Sequence, residues 1–214
     1  MKKYLTNVYI LLIFTSGSIF SQVTSEQIHY GASSLSMAAS DIAIPKTSWS
    51  AFVNAAGIVD QQGVTFVASS QSHFSQDFLS HSLFGVQFKN SKYGSFGISF
   101  ENSSVDYSGN NLATETSIGI HQGISLRSDR NSSFSFGYGL KSYTVDYGSS
   151  AGPSGDGSDG IELGSLNAFG LDVSFLGSLG KRIRVGAKAL NINSPTLGNA
   201  NLATRLPQRS QIGL

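Results

Sequence analysis

The sequence predicts an all-β fold, an antiparallel transmembrane β-barrel of the outer-membrane type with about eight visible strands. Apolar and polar residues alternate along most of the chain after residue 60. Charged residues make up 13% of the 214 residues, roughly half of their usual share in soluble domains. Short and long polar connections alternate between the runs. This alternation is typical of barrels that carry short turns on one rim and longer loops on the other.

The first residues have the pattern of a secretory signal peptide. Lys2 and Lys3 precede a short apolar run at 8–14, and the small residues after that run favour cleavage after Ser21. The run is too short for a membrane-spanning helix, which needs about 20 apolar residues. We therefore expect residues 1–21 to be removed on export. The chain has no cysteine, which excludes a disulfide framework, thiolate metal ligands and a cysteine nucleophile.

Residues 22–60 fit neither a clean strand nor a long helix. Residues 39–58 read ASDIAIPKTSWSAFVNAAGI, with many small side chains and the only tryptophan of the chain, Trp49. Small residues allow a backbone to pack closely against a sheet. Asn54 and Gly57 are suited to a turn that leads into the first strand. A plain surface turn with an incidental tryptophan is the alternative interpretation.

Residues 61–214 read as strands, because alternation with a period of two gives a strand two different faces. In the run 94–101, for example, Phe96, Ile98 and Phe100 share one face. The other predicted strands lie at 63–70, 80–89, 117–127, 133–143, 170–175 and 182–188, with a last one beginning near Gln208.

The predicted connections are short at 89–94, 128–132 and 177–182 and long at 103–115 and 146–160. The strand near Gln208 begins just before the sequence ends at Leu214. A barrel closes by pairing its last strand with its first, because an open edge is intolerable in lipid. We therefore expect the sequence to be the N-terminal part of a longer chain, with its set of barrel strands incomplete.

Alternation alone does not say which face meets water. A secreted β-sandwich buries its apolar faces, whereas an outer-membrane barrel turns them toward lipid. The polar face consists mostly of Gly and Ser and would be a poor water-facing surface. Aromatic residues near predicted strand ends also fit the girdles of a membrane protein. They are Phe100, Tyr107, Tyr138, Tyr143 and Tyr147. Both features favour the barrel over the sandwich.

The sequence contains no convincing catalytic, cofactor or metal site. The four histidines (His29, His73, His81 and His121) lack metal-ligand spacing. Asp156 and Asp159 lie in GPSGDGSDG, which lacks the spacing and the Glu of an EF-hand. No Ser/His/Asp arrangement stands out, so we predict that the protein is not an enzyme. The net charge is +1 with scattered Lys and Arg, which argues against nucleic-acid binding.

Three basic residues, Arg182, Arg184 and Lys188, share one face of a predicted strand. In a barrel they could line a basic patch of the lumen that favours anionic cargo. The alternative is a few charges solvated in a wet lumen.

The order of these features resembles the PorV/PorQ-type proteins of the FadL-like outer-membrane superfamily. Members open with a Gly-Ala-Arg-x-Leu-x-Met-Gly-like stretch, in which this chain has Ser33 in place of the arginine, and reach Asn-Pro-Ala-Gly before the first strand. Residues 31–58 hold GASSLSM and then NAAG, with Ala55 in place of the proline. Later segments follow in the family's order. They are HFSQDFLSHSLFGVQF, YGSFGISF, SFSFGYGLKSY, IRVGAKALNINSPTL and LPQRSQIGL.

The resemblance implies that residues 22–60 fold inward as a plug of the lumen, which would place Trp49, Asn54 and Gly57 inside the barrel. Non-strand backbone is tolerated at membrane depth only inside protein or beside water, so the interpretation is physically sound. The resemblance also implies a location in the cell outer membrane and a role in type IX protein secretion or surface attachment. Outer-membrane lipid and secretion components or exported proteins would be the partners. A FadL-like channel for hydrophobic small molecules is the alternative.

Overall fold

The structure is a computed structural model that describes residues 30–72, 77–90, 92–107, 109–150, 152–155, 158–180, 182–198 and 203–214. The predicted signal peptide, together with His29, His73 and Asp156, lies outside the described residues.

The protein is all-β and antiparallel, as the sequence predicts. The described residues contain ten strands: β1 Val64–Ser72, β2 Leu79–Asn90, β3 Gly94–Tyr107, β4 Asn110–Ser128, β5 Ser132–Ser149, β6 Glu162–Leu179, β7 Ile183–Leu190, β8 Thr196–Leu197, β9 Thr204–Arg205 and β10 Arg209–Gly213. Eight of them form one sheet in the order β1 to β7 followed by β10, and β8 pairs only with β9. The main sheet therefore has the predicted number of strands.

Residues 30–61 precede the sheet and are called the N-terminal segment below. The segment contains α1 Gly31–Ser36, α2 Ser50–Val53 and a 3-10 helix at Ala55–Asp60. No helix among the described residues is both long and apolar enough to cross a membrane.

The predicted long loop at 103–115 is wrong, because these residues form the ends of β3 and β4. The two strands meet in a tight turn between Tyr107 and Asn110. Ser, Asn and Thr suggest a loop, but here they bond to each other across strands. The Asn102 amide, for example, donates to the Thr116 hydroxyl at 3.0 Å. The predicted loop at 146–160 is present, although it is shifted to residues 150–161.

The two ends of the sheet differ in their connections. Three-residue turns at 91–93, 129–131 and 180–182 lie at one end, which is called the short-turn end below. The opposite end carries the β5–β6 loop and the connection that contains β8 and β9, together with the tight β3–β4 turn.

The sheet curls around the N-terminal segment. On β1, Val67 packs against the cluster that contains Phe52, while a side chain at Gly213 on β10 would meet Ile42. A flat eight-stranded sheet would be roughly 34 Å wide at the usual strand spacing, so one segment reaches both edges only if the sheet is curved. Within the described chain β1 and β10 each pair with a single neighbour, and no closed barrel is formed.

The face that contacts the N-terminal segment is called the inner face, and the other is the outer face. Over the half of the sheet nearest the short-turn end, the outer face carries large apolar side chains that are 40–60% exposed. Examples are Phe84, Ile98, Ile120, Leu140 and Phe175. The inner face between the same strands consists of buried polar residues and glycine, such as Ser99, His121 and Lys141. The polarity of this half is inverted relative to a soluble sheet.

The polarity reverses again toward the opposite end. There the inner face buries an apolar cluster of Tyr143, Val145, Ala168, Leu197 and Leu206. The outer face carries polar residues that bond across strands, as in the 2.7 Å contact from the Thr144 hydroxyl to Asn167.

On β3 and β4 the outer face changes from apolar to polar between two neighbouring cross-strand pairs of that face. Phe100 pairs with Ile118, whereas Asn102 pairs with Thr116. Of the aromatic residues expected in a girdle, Phe100 and Tyr138 are exposed on the outer face, whereas Tyr143 lies on the inner face and is 6% exposed.

Candidate functional site

The interface between the N-terminal segment and the inner face is the candidate site. Its apolar part centres on Phe52, which is 2% exposed and packs with Tyr30 and Leu83 in one buried cluster. The Trp49 ring lies at the edge of this cluster, 5.4 Å from the Phe52 ring between centroids. Burial of these aromatic surfaces is the main favourable contribution to docking of the segment.

Glycines on the inner face allow the segment to approach the sheet closely. A Cβ at Gly137 would lie 2.3 Å from the backbone nitrogen of Ala56, and one at Gly186 would lie 2.2 Å from the oxygen of Ile42. Such separations are far below van der Waals contact, so only glycine fits. Contacts of the same kind occur at Gly85, Gly97, Gly123 and Gly213. The Gly-rich polar face that the sequence reveals is thus the surface that receives the segment.

Polar side chains of the sheet bond to the backbone of the segment. The Gln87 side chain accepts from the Ala51 amide at 3.2 Å and donates to the Thr47 oxygen at 3.0 Å. The Ser174 hydroxyl accepts from the Ala56 amide at 3.1 Å. Because buried backbone groups need partners, these contacts fix the position of the segment.

Asn54 joins the segment to itself and to the sheet. Its Nδ2 donates to the oxygens of Ile42, at 2.8 Å, and of Phe175, at 3.1 Å. Its Oδ1 accepts from the Ala56 amide at 3.1 Å and caps the 3-10 helix. The side chain is 2% exposed, and these three bonds use most of its capacity.

Lys188 provides the charged contact of the interface. Its Nζ donates to the main-chain oxygen of Phe52 at 2.9 Å and lies 5.3 Å from the centre of the Tyr30 ring. Lys188 is 7% exposed. Both an oxygen ligand and an aromatic face favour a buried ammonium group.

A second lysine, Lys141, holds two acids together beneath the segment. Its Nζ lies 3.5 Å from Glu101 and 3.9 Å from Asp172. Asp172 also accepts from the Asn191 amide at 2.9 Å. Each of the two acids therefore has a cation beside it, which matters because an uncompensated buried charge costs several kcal/mol.

The Ser99 hydroxyl lies 2.8 Å from His121 Nε2, which resembles a nucleophile and its base. Ser99 is 0% exposed and His121 is 3% exposed, so no substrate can reach the hydroxyl and the pair acts as an internal contact. Among the described residues no three potential ligands come together in a way that could hold a metal ion.

The structure places the three predicted plug residues, Trp49, Asn54 and Gly57, in the segment at this interface. Gly57 is buried, and its amide donates to the main-chain oxygen of Asn54 at 2.9 Å. The predicted basic patch is not a single surface. Lys188 lies beneath Phe52, whereas Arg182 and Arg184 are exposed at the short-turn end.

Sequence reasoning missed Gln87, Glu101, Lys141, Asp172 and Ser174. For Glu101, Lys141 and Asp172 a weak signal was available, since each is a charged residue on a strand face made largely of Gly and Ser. Such a residue has no local reason to be there and therefore indicates a partner from elsewhere in the chain. Gln87 and Ser174 carry no such signal.

In the β5–β6 loop, Asp159 accepts hydrogen bonds from the hydroxyl and the backbone amide of Ser154. The hydroxyl contact is the main cause of the lowered pKa of Asp159. These bonds order the exposed turn at residues 152–155, and they occupy the carboxylate with the chain's own groups.

The space near the interface includes one small cavity and two wider clefts. A cavity of about 10 Å³ between Phe52 and His121 is about the size of one water. Two wider clefts of about 300 and 550 Å³ open at the short-turn end and share Asp60 and Ser133. Lys89 and several serines line the larger one, and Arg184 lines the other.

No family model, curated protein or solved structure matches this chain.

Proposed function

We propose that this chain forms the wall and the plug of an outer-membrane β-barrel, with the N-terminal segment fixed inside the lumen. The inverted polarity of the sheet carries the proposal. Phe84, Ile98 and Ile120 are exposed on the outer face, while Glu101 and Lys141 are buried on the inner face. A hydrocarbon environment stabilises that arrangement, and water opposes it.

The length of the apolar band supports the proposal. On β4 it runs from Ile118 to Leu126, which is nine residues, and on β6 from Phe169 to Leu179, which is eleven. A tilted strand that crosses a bilayer needs about 9–11 residues. The one polar side chain in the outer-face row of β4, Gln122, donates to the Tyr93 oxygen and accepts from the Tyr138 hydroxyl. Lipid requires that polar groups be satisfied in this way.

A secreted β-sandwich is less well supported. A sandwich needs two apolar inner faces, but the inner face over the apolar band is made of Gly, Ser, Lys and acidic residues. Only the half beyond Phe100 and Ile118 has the polarity of a soluble sheet. We infer that this half stands in water beyond the bilayer.

The tightly packed plug favours a role in secretion over a role as a channel. The segment lies in close contact with the sheet at Gly137 and Gly186, and the cavity beneath Phe52 holds about one water. The wider clefts have mixed linings, in which serine, lysine and arginine lie beside apolar residues such as Leu176 and Ile124. A tightly packed plug with no continuous apolar passage among the described residues is a poor path for hydrophobic small molecules. We therefore favour the role implied by the PorV/PorQ resemblance, secretion-associated docking or surface attachment, over a FadL-like channel.

The membrane proposal is tested by a pair of matched substitutions. Ile120→Arg places a charge in the middle of the apolar band, and Thr144→Arg places the same charge on the same face beyond it. An arginine facing lipid at the bilayer centre costs about 2–4 kcal/mol. We expect Ile120→Arg to lose outer-membrane insertion and the heat-dependent gel mobility shift, and Thr144→Arg to retain both. Equal behaviour of the two variants, or absence of the parent protein from the outer membrane, contradicts the proposal.

The role is tested by conductance and uptake. We expect the parent protein to show little conductance in planar bilayers. We also expect that cells expressing it gain no uptake of long-chain fatty acids. Saturable uptake would instead identify a channel and overturn the docking role without affecting the membrane assignment.

A further inference from the structure

The exposed charges of the sheet are divided between its two ends. Each turn at the short-turn end carries a cation, namely Lys92, Arg130 and Arg182. Arg127 precedes the second turn and pairs with Asp129 at 2.5 Å. The opposite end carries the exposed acids Asp77, Asp106, Asp146 and Asp159, with Arg205 as an exposed cation among them. The net charge of the chain is only +1. The separation therefore comes from where the charged residues lie in the fold and not from an excess of either sign.

The cations of the short-turn end lie directly beyond the apolar band. Arg127 pairs in register with Phe134. Leu179 and Ile183, which flank the third turn, are 66% and 51% exposed. In the first turn, Lys92 Nζ lies 5.0 Å from the centre of the Tyr93 ring, and that ring is 59% exposed. An apolar band followed by tyrosine and then by cations is the order of side chains found at a membrane surface.

We propose that Lys92, Arg130 and Arg182 form a basic rim that binds the headgroups of anionic phospholipids. This inference rests on the proposed membrane location and adds the lipid partner and the orientation of the protein. Cations near an anionic leaflet are attracted to it within a Debye length. The acidic opposite end is repelled by the same charge, so both ends favour one orientation.

The arrangement of the rim favours a lipid surface over a macromolecular partner. The three cations come from three successive turns that lie side by side at the short-turn end of the sheet. They therefore lie at one level around the protein rather than in one groove. A layer of headgroups is flat and surrounds the protein, and it contacts all three positions at once. Other cations at this end do not lie in the turns. Arg127 is on β4 and pairs with Asp129. Lys89 and Arg184 are on β2 and β7, where they line the clefts. Lys92 lies in a turn and also lines the larger cleft.

The test compares folding of the full chain into vesicles of phosphatidylcholine with vesicles that contain one quarter phosphatidylglycerol. The rim variant is Lys92→Gln, Arg130→Gln, Arg182→Gln. The matched control is Asp77→Asn, Asp146→Asn, Asp159→Asn at the opposite end. Correct folding of each variant in detergent is checked first by its heat-dependent gel shift.

We expect phosphatidylglycerol to increase vesicle association of the parent protein about tenfold at low salt, and 0.5 M NaCl to remove the increase. The rim variant should lose the increase and the control should keep it. If the parent inserts equally well into both kinds of vesicle, or if the rim variant keeps the increase, the lipid inference is overturned and the membrane location stands. If the parent inserts into neither kind, the membrane location fails and the inference fails with it.

Discussion

Lys188 Nζ and the main-chain oxygen of Phe52, 136 residues apart in the sequence, are joined by a 2.9 Å hydrogen bond. This contact connects the seventh strand to the N-terminal segment and brings a charge to an interface whose other contacts are aromatic packing, close glycines and hydrogen bonds of neutral side chains such as Gln87. It is the contact whose loss should most directly loosen the segment.

Lys188→Met retains most of the stem of the side chain and removes the donor. Hydrogen bonds to charged groups contribute about 1.5–3 kcal/mol, so we expect the free energy of unfolding to fall by about that amount. Protease cleavage within residues 30–61 should also become faster. The measurements are denaturant titration in detergent and timed proteolysis. Arg184→Met, four residues away on the same face but exposed, is the control. Equal effects of the two variants would show that the Phe52 contact carries no stability.

Gly137→Ala tests the close approach of the segment to β5. The new methyl group would lie 2.3 Å from the Ala56 nitrogen, so the segment must move and the buried contacts on either side must loosen. Overpacking of this kind costs about 1–3 kcal/mol. Thermal unfolding in detergent, followed by gel mobility, measures the loss. Gly177→Ala is the matched control, because a methyl group there meets nothing closer than 3.6 Å. A neutral Gly137→Ala would mean that the segment is not seated as described.

Trp49 is the only tryptophan, and its fluorescence therefore reports on the segment alone. The ring is half-buried and contacts Phe52, and a side chain at Gly31 would lie 2.5 Å from it. We expect emission that is blue-shifted relative to the unfolded chain, with weak quenching by iodide. Gly31→Ala should push the ring outward and increase quenching. Full quenching in the folded parent protein would contradict docking of the segment.

Much of the sheet could be predicted from the sequence because alternation is a local signal. The strands at 63–70 and 80–89 correspond to β1 and β2, and the last strand begins at Arg209, next to the predicted Gln208. The hairpin at 103–115 could not be predicted in the same way. Its Ser, Asn and Thr residues form a strand only because a partner strand supplies their hydrogen bonds, and that partner is not visible from the local pattern.

The site was predictable only in part. Trp49 and Asn54 stand out locally, since one is unique and the other precedes a run of small residues. The partners of the segment do not stand out. Ser174 and Gln87 are ordinary polar residues until the fold brings them within 3.2 Å of backbone amides of the segment. Lys188 was grouped with two arginines because they share a strand face, but depth within the sheet separates them, and a linear pattern contains no information on depth.

The change of polarity between Ile118 and Thr116 has a mechanical consequence. In the proposed membrane location, β4 continues for seven residues beyond that level, from Thr116 to Asn110, which is a rise of roughly 24 Å for an extended strand. Neighbouring strands rise with it and are tied together by hydrogen bonds. The β5–β6 loop therefore lies at the end of a rigid extension of the sheet, above the headgroups. Another protein could bind this loop without contacting the lipid.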